Sequence, residues 1–270
     1  MSSISYYLRQ AYVLLFARKA FYKANLLLYK LSMRGMGILN YENEIVSGER
    51  AFIKFLQKQH RLDKGVIMDV GANIGNYAVM LRNKNIQLPI LAFEPHPVSY
   101  AKLLATADKY HFQPIPVGLS AEVSTATIYD HADNSGSEHA SMYREVLSEL
   151  HHSPPAGVDI QLSTIDDIVS EYNITHIALL KIDTEGNELN VLKGATSTLR
   201  RDMIDCIQVE FNEMNVISRT FFRDLIDILP GFDFYRLLPD GLHPLGPYKA
   251  AVYEIFAFQN VIALRRNPHQ

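Results

Sequence analysis

The run at residues 66–76, VIMDVGANIGN, constrains the fold more than any other part of the chain. Val66, Ile67, Met68 and Val70 surround Asp69 and lead straight into a turn containing Gly71 and Gly75. This is the pattern of a buried parallel strand that ends in a glycine-rich loop. After Gly75 come Tyr77, Ala78, Val79 and Leu81, an apolar stripe compatible with helical spacing. Strand, glycine turn and helix in that order make a ligand site at a helix N-terminus. Gly71 lets the backbone turn tightly and approach a ligand, because a Cβ would occupy the space. Asp69 stands where a carboxylate can accept hydrogen bonds from a ligand's ammonium or hydroxyl groups.

From residue 66 onward strands and helices alternate, which predicts an α/β fold with a doubly wound, mostly parallel sheet. Strands are expected at 66–70, 90–93, 114–117, 177–182, 204–209, 232–237 and 252–264. Helices are expected at 75–83, 98–110, 165–172, 188–199 and 219–229. The last two strands are joined by a loop, PDGLHPLGPYKAA, so they form a hairpin and the seven-stranded sheet ends on an antiparallel strand. Two further strands, 126–129 and 158–162, suit antiparallel pairing, and the polar insertion between them, 131–155, has the composition of a functional segment. Ahead of the first strand a lead-in helix is expected, with Ser47 as N-cap, Glu49 in its first turn and Phe52, Ile53, Phe55 and Leu56 as its core stripe.

Apolar content of 48% with 20% charged residues excludes wholesale disorder, and a net charge of −3 offers no electrostatic case for nucleic acid. The single cysteine, Cys206, excludes a disulfide framework and a multi-cysteine zinc site. No cleavable signal pattern is visible, so a cytoplasmic location is expected. The N-terminus departs from the average: Arg9, Arg18, Lys19, Lys23, Lys30 and Arg34 precede the first acidic residue, Glu42. At helical spacing all of these except Arg18 fall within an arc of about 80°. Residues 1–48 therefore read as a basic amphipathic helical extension in front of a domain at 49–270. Its apolar runs are too short to span a bilayer. They suit either peripheral contact of residues 1–34 with an anionic membrane, or packing on the domain or on a second copy in a homo-oligomer.

Glu94, Asp183 and Glu210 stand at the C-terminal ends of expected strands, where open α/β sheets bind ligands. Glu94 follows Gly75 by 19 residues, the distance at which an acid reaches a ribose diol. That fits NAD as well as S-adenosylmethionine. A dinucleotide fingerprint, however, needs glycine where Asn73 and Asn76 stand, so the loop suits the amino-acid end of S-adenosylmethionine better.

Four blocks, DVGANIGNY at 69–77, FEPHP at 93–97, STIDDI at 163–168 and LLKIDTEGNELNVLKGA at 179–195, together resemble the FkbM-type methyltransferases. The weaker lead-in ILNYEN at 38–43 is similar to relatives among glycan-modifying enzymes. The resemblance implies a Rossmann-like class I methyltransferase domain that takes S-adenosylmethionine as methyl donor and a hydroxyl as acceptor. The expected acceptor is a glycan or glycolipid, reached from the cytoplasm or the inner face of the membrane. By the same resemblance Asp69, Gly71, Asn73 and Gly75 hold the methionine portion, Glu94 the ribose and Ser120 the adenine, and Asp183 lies beside the sulfonium and the acceptor. A sugar hydroxyl gains from a general base. Lys181 with Asp183 can orient or activate it, and His139 is a second candidate base. Asp183 and Glu210 can alternatively offer oxygen ligands to a divalent metal. A non-catalytic scaffold that keeps the cofactor fold, and O-methylation of a non-sugar metabolite, are the competing expectations.

Overall fold

A computed structural model of the chain describes residues 3–131, 140–146, 148 and 155–266. Two exposed helices, α1 (Ser3–Phe16) and α2 (Tyr22–Gly35), precede α3 (Glu49–Lys58). Next come β1 (Val66–Val70), α4 (Asn76–Asn83), β2 (Ile90–Phe93), α5 (Pro97–Tyr110) and β3 (Gln113–Ile115). A small three-stranded sheet follows, built from β4 (Gly118–Leu119), β5 (Ser124–His131) and β6 (Pro155–Ser163), with β5 and β6 antiparallel. The alternation resumes with α6 (Ile165–Glu171), β7 (Ile177–Ile182), α7 (Glu188–Lys193), α8 (Thr196–Arg200), β8 (Cys206–Phe211), α9 (Met214–Ser218) and α10 (Phe222–Ile228). The chain closes with β9 (Phe232–Leu238), β10 (Gly241–Pro244), α11 (Ala250–Tyr253) and β11 (Gln259–Arg265).

The main sheet runs β10-β9-β11-β8-β7-β1-β2-β3. Strands β3, β2, β1, β7 and β8 pair parallel, and β11 is antiparallel to both β8 and β9. Parallel strands covered by helices on both faces must be apolar on both faces, and all six residues of β7 are buried. Ile67 and Leu179 pack under Phe52, Leu56, Ala78, Leu81 and Leu103 of α3, α4 and α5. Met68, Leu180 and Ile182 pack against Ile165, Ile168, Val191, Leu192 and Phe222 on the other face. Each such side chain contributes about 1.5–3 kcal/mol relative to exposure.

The fold is the expected Rossmann-like one, with local differences. The main sheet has eight strands rather than seven, because the turn at Gly241 (φ 146°) folds the loop back as β10 against β9. The last strand begins at Gln259 rather than Val252, since residues 250–253 form α11. The expected helix at 188–199 breaks into α7 and α8 at Gly194, where a Cβ would meet the Ser120 carbonyl oxygen at 2.1 Å. The N-cap of α3 is Gly48 rather than Ser47: its φ is 87° and it lies so close to β9 that a Cβ would be 2.5 Å from the Leu238 oxygen.

The N-terminal extension forms two helices joined by a turn, and burial begins well before residue 48. Met33 and Ile38 are buried, and the Leu39 N–H donates to the Phe258 carbonyl (2.7 Å). Residues 33–48 are thus seated on the β9–β11 side of the sheet, and most of the two helices before them is exposed.

Candidate active site

The site lies at the C-terminal ends of β1, β2, β7 and β8. Gly71 (φ 80°) turns the chain out of β1 so close to β7 that a Cβ would be 1.7 Å from the Asp183 carbonyl oxygen. Glycine is required here for strand-loop contact as well as for the turn. The contact brings the loop that carries Asn73 against the end of β7, where Asp183 follows. Asn73 itself adopts a left-handed conformation (φ 48°), which asparagine tolerates better than most residues.

Two clefts open from this point. The first is lined by Gly71, Asn73, Glu94, Asp183 and Glu185, with Leu119, Ile128, Met142, Ile160 and Leu162 as an apolar wall. Glu94 is nearly buried and accepts the Asn73 N–H at 2.9 Å through one oxygen and the His96 N–H at 2.8 Å through the other. Burial pushes its carboxyl up to about 7 even against these two donors. Each oxygen keeps a free lone pair for a hydroxyl. A carboxylate for a diol beside an apolar slot for a flat base is the donor set that S-adenosylmethionine needs, so the residues present fit it.

The second cleft, of about 930 Å³, is lined by Leu39, Tyr41, Asn43 and Glu44 from the N-terminal segment, by Glu49, Tyr77, Lys181, Glu210 and Asn260, and again by Gly71, Asn73, Asp183 and Glu185. Beneath it runs a polar row across the sheet, in which Asp69 pairs with Lys181 and Lys181 with Gln208 in register; of the three, Lys181 lines the cleft. Lys181 Nζ lies 3.3 Å from Asp69 Oδ1 and 3.2 Å from Asp183 Oδ2, and 5.2 Å from the Tyr77 ring centre. The Tyr77 hydroxyl donates to Gln208 Oε1 (2.9 Å), and Gln208 Nε2 donates to Glu49 (2.9 Å) and Asn260 (3.0 Å). Burial alone would lower the Lys181 pKa, but Asp69, Asp183 and Glu49 together raise it above the ordinary value. The side chain is therefore held as a cation between Asp69 and Asp183.

Carboxylate oxygens of Asp183, Glu185 and Glu210 lie within 4.8 Å of one another. Burial, with repulsion from Asp183 and Glu185, holds the Glu210 carboxyl well above its usual range. Three acids this close can hold a divalent cation, or take up a proton that relieves their repulsion. Glu188 has a different task. Its Oε1 accepts from the Thr184 and Gly186 N–H groups and the Thr184 hydroxyl, each at 3.0 Å, and so shapes the loop carrying Asp183.

Of the residues expected to bind cofactor, Gly71, Asn73, Glu94 and Asp183 line the first cleft. Asp69 does not line either cleft: it is fully buried, with Lys181 beside it. Gly75 also lies outside both, its missing Cβ making room for Leu103 and Phe112 between α4 and α5. Ser120 is displaced as well; Gly118 and Leu119 line the cleft in its place, while the Ser120 N–H is tied to the Ser163 carbonyl (2.9 Å). His139 falls outside the described residues, although its chain neighbour Ala140 lines the first cleft. Glu49, Tyr77, Gln208 and Asn260 were not singled out from sequence for the site. For Gln208 and Asn260 the signal was a polar residue interrupting an apolar strand, as in CIQVEF and QNVIALR.

A doubly wound sheet with an antiparallel strand beside its parallel core, and a nearly buried carboxylate, Glu94, at the end of β2, accord with a Rossmann-like methyltransferase domain. The family described as "Methyltransferase FkbM domain" matches residues 69–235, and the chain belongs to it. The chain is 32% identical over 153 residues to "Methyltransferase sdnD" of Sordaria araneosa, covering 47% of this chain and 59% of that protein. It is 31% identical over 152 residues to "31-O-demethyl-FK506 methyltransferase FkbM" of Streptomyces tacrolimicus, covering 48% and 58%. It is 28% identical over 155 residues to "Hexuronic acid methyltransferase AglP" of Haloferax volcanii, covering 57% and 59%. The chain thus spans less than two thirds of the length of these relatives.

Proposed function

We propose that the chain is an S-adenosylmethionine-dependent O-methyltransferase acting on a saccharide hydroxyl. The observation that carries this reading is the junction of the two clefts: Gly71, Asn73, Asp183 and Glu185 line both. A donor held by Glu94 in the first cleft and an acceptor in the second meet beside Asp183. The bound donor supplies an electrophilic methyl group, and positioning then accounts for much of the rate. Lys181 fixes Asp183 from below, and the carboxylates of Asp183, Glu185 and Glu210 form the sink for the acceptor's hydroxyl proton.

The acceptor cleft itself favours sugars. Tyr41, Tyr77 and Phe258 offer aromatic surface, and Glu44, Glu49, Asp183, Glu185, Glu210 and Glu213 offer acceptors for hydroxyl groups. Among the described lining residues Lys181 is the one Lys or Arg, and it is already engaged by Asp69 and Asp183. This charge pattern suits a neutral or amine-bearing saccharide better than the uronic acid in the name of the Haloferax relative. A macrolide-type hydroxyl is the second reading, favoured by the name of the Streptomyces relative.

Incubation of the protein with methyl-labelled donor and fractionated glycans tests the reading. Label in a neutral or amine-bearing glycan, with a mass gain of about one CH₂, supports it. Transfer only to non-saccharide hydroxyls favours the second reading, and donor binding with no transfer to any pool favours a scaffold.

A further inference from the structure

We propose that α1 and α2 dock the chain onto an anionic phospholipid surface, with the acceptor cleft opening beside the docked helices. The proposal does not depend on which hydroxyl is methylated.

Residues 6–32 are exposed apart from half-buried Asn25. Within them Tyr7, Leu8, Val13, Leu14, Leu15, Leu27, Leu28, Tyr29 and Leu31 are each more than half exposed. In α1, Arg9 is the only charged residue, and Tyr7, Leu8, Tyr12, Val13, Leu14 and Leu15 distribute around the whole circumference. A helix that is apolar on all sides needs an apolar medium around it. A second protein copy covers one side; the boundary layer of a bilayer covers more. At 14 residues α1 is about 21 Å long, short of the roughly 30 Å hydrocarbon core, and no described helix is long and apolar enough to cross a membrane. It therefore fits a position in the interface, where tyrosines are also favoured.

The second helix has the complementary design. Lys23, Lys30 and Arg34 of α2 fall in an arc of about 40°, with Leu26, Leu27, Leu28, Tyr29 and Leu31 on the remaining surface. The break between the helices at residues 17–21 resets the phase, so the basic stripe belongs to α2 rather than to one continuous helix.

Charge fixes the polarity of docking. Six basic and no acidic residues precede Glu42, whereas the rest of the chain has twenty basic against 29 acidic residues. An anionic surface attracts the helices and repels the body. The body is nonetheless held close: Met33 and Ile38 are buried in it, Arg34 pairs with Glu42, and Leu39, Tyr41, Asn43 and Glu44 line the acceptor cleft. The chain leaving the docked helices is thus a wall of that cleft.

Sedimentation of the full chain with phosphatidylcholine vesicles, with and without phosphatidylglycerol, tests this. Binding is expected to the anionic vesicles and to be much weaker to the neutral ones. Neutralising Lys19, Lys23 and Lys30 together to Gln should weaken it about a hundred-fold, at about five-fold per cation. Leu14→Asp with Leu15→Asp should abolish it, and both variants should keep the parent's affinity for S-adenosylhomocysteine, which reports an intact fold. Failure of the parent to bind anionic vesicles, or binding that survives both variants, overturns the proposal. So does a stable dimer in light scattering that ignores vesicles, which would assign this face to a second copy.

Discussion

Glu94→Gln separates the cost of the donor site from its use. Burial of the Glu94 carboxyl moves it from an ordinary 4.5 to about 7. Because the folded state holds the proton more tightly than the unfolded one, ionisation opposes folding. The penalty is absent below about pH 4.5, grows as pH rises, and is complete above about pH 7, where it amounts to about 3 kcal/mol. Glutamine removes the charge. It also leaves one of the two N–H donors, of Asn73 or His96, without an acceptor, at a cost of about 1 kcal/mol. The variant should therefore be more stable than the parent by about 2 kcal/mol near pH 8 and show no gain near pH 4.5. Urea unfolding followed by circular dichroism at the two pH values measures both. A variant less stable than the parent near pH 8, or an equal gain at both pH values, would mean that burial does not strain the Glu94 carboxylate. Affinity for S-adenosylhomocysteine should fall by about 10–150-fold near pH 8, since a charge-assisted hydrogen bond to a hydroxyl is lost.

Lys181→Met strips the buried Asp69 of its cation and should cost about 3–5 kcal/mol in the same unfolding assay. Adding Asp69→Leu should recover most of that stability without restoring methyl transfer, because Asp183 stays unanchored. Asp183→Asn should lower kcat by about 10²–10⁴-fold while S-adenosylhomocysteine affinity, read by calorimetry, changes only a few-fold. Gly71→Ala places a Cβ against the Asp183 carbonyl oxygen in a left-handed backbone, and should lower Tm and abolish donor binding together.

Local pattern carried the fold because its strands are buried on both faces and its turns are punctuated by glycine and proline. The strand over 66–70 was readable to the residue, as were those over 90–93 and 177–182. Boundaries failed where a distant backbone decides. Gly48 caps α3 because β9 lies against it, and Gly194 splits a helix because Ser120 lies against it, neither of which local spacing reveals. The four acids at strand ends were legible, but their division of labour was not. Asp69, Glu94, Asp183 and Glu210 look alike in sequence, yet only burial and neighbours separate a carboxylate beneath Lys181 from one that faces a ligand. The N-terminal wall of the acceptor cleft was equally hidden, since Tyr41 and Glu49 reach the strand ends through tertiary packing alone.

Methyl transfer as proposed starts from a donor bound in the first cleft with Glu94 on its ribose. Calorimetric titration of the purified chain with S-adenosylhomocysteine measures that binding. A single site per chain is expected, with affinity that falls as Glu94 is protonated below about pH 7 and that Glu94→Ala removes. A titration with no heat of binding, or binding that Glu94→Ala leaves intact, contradicts it.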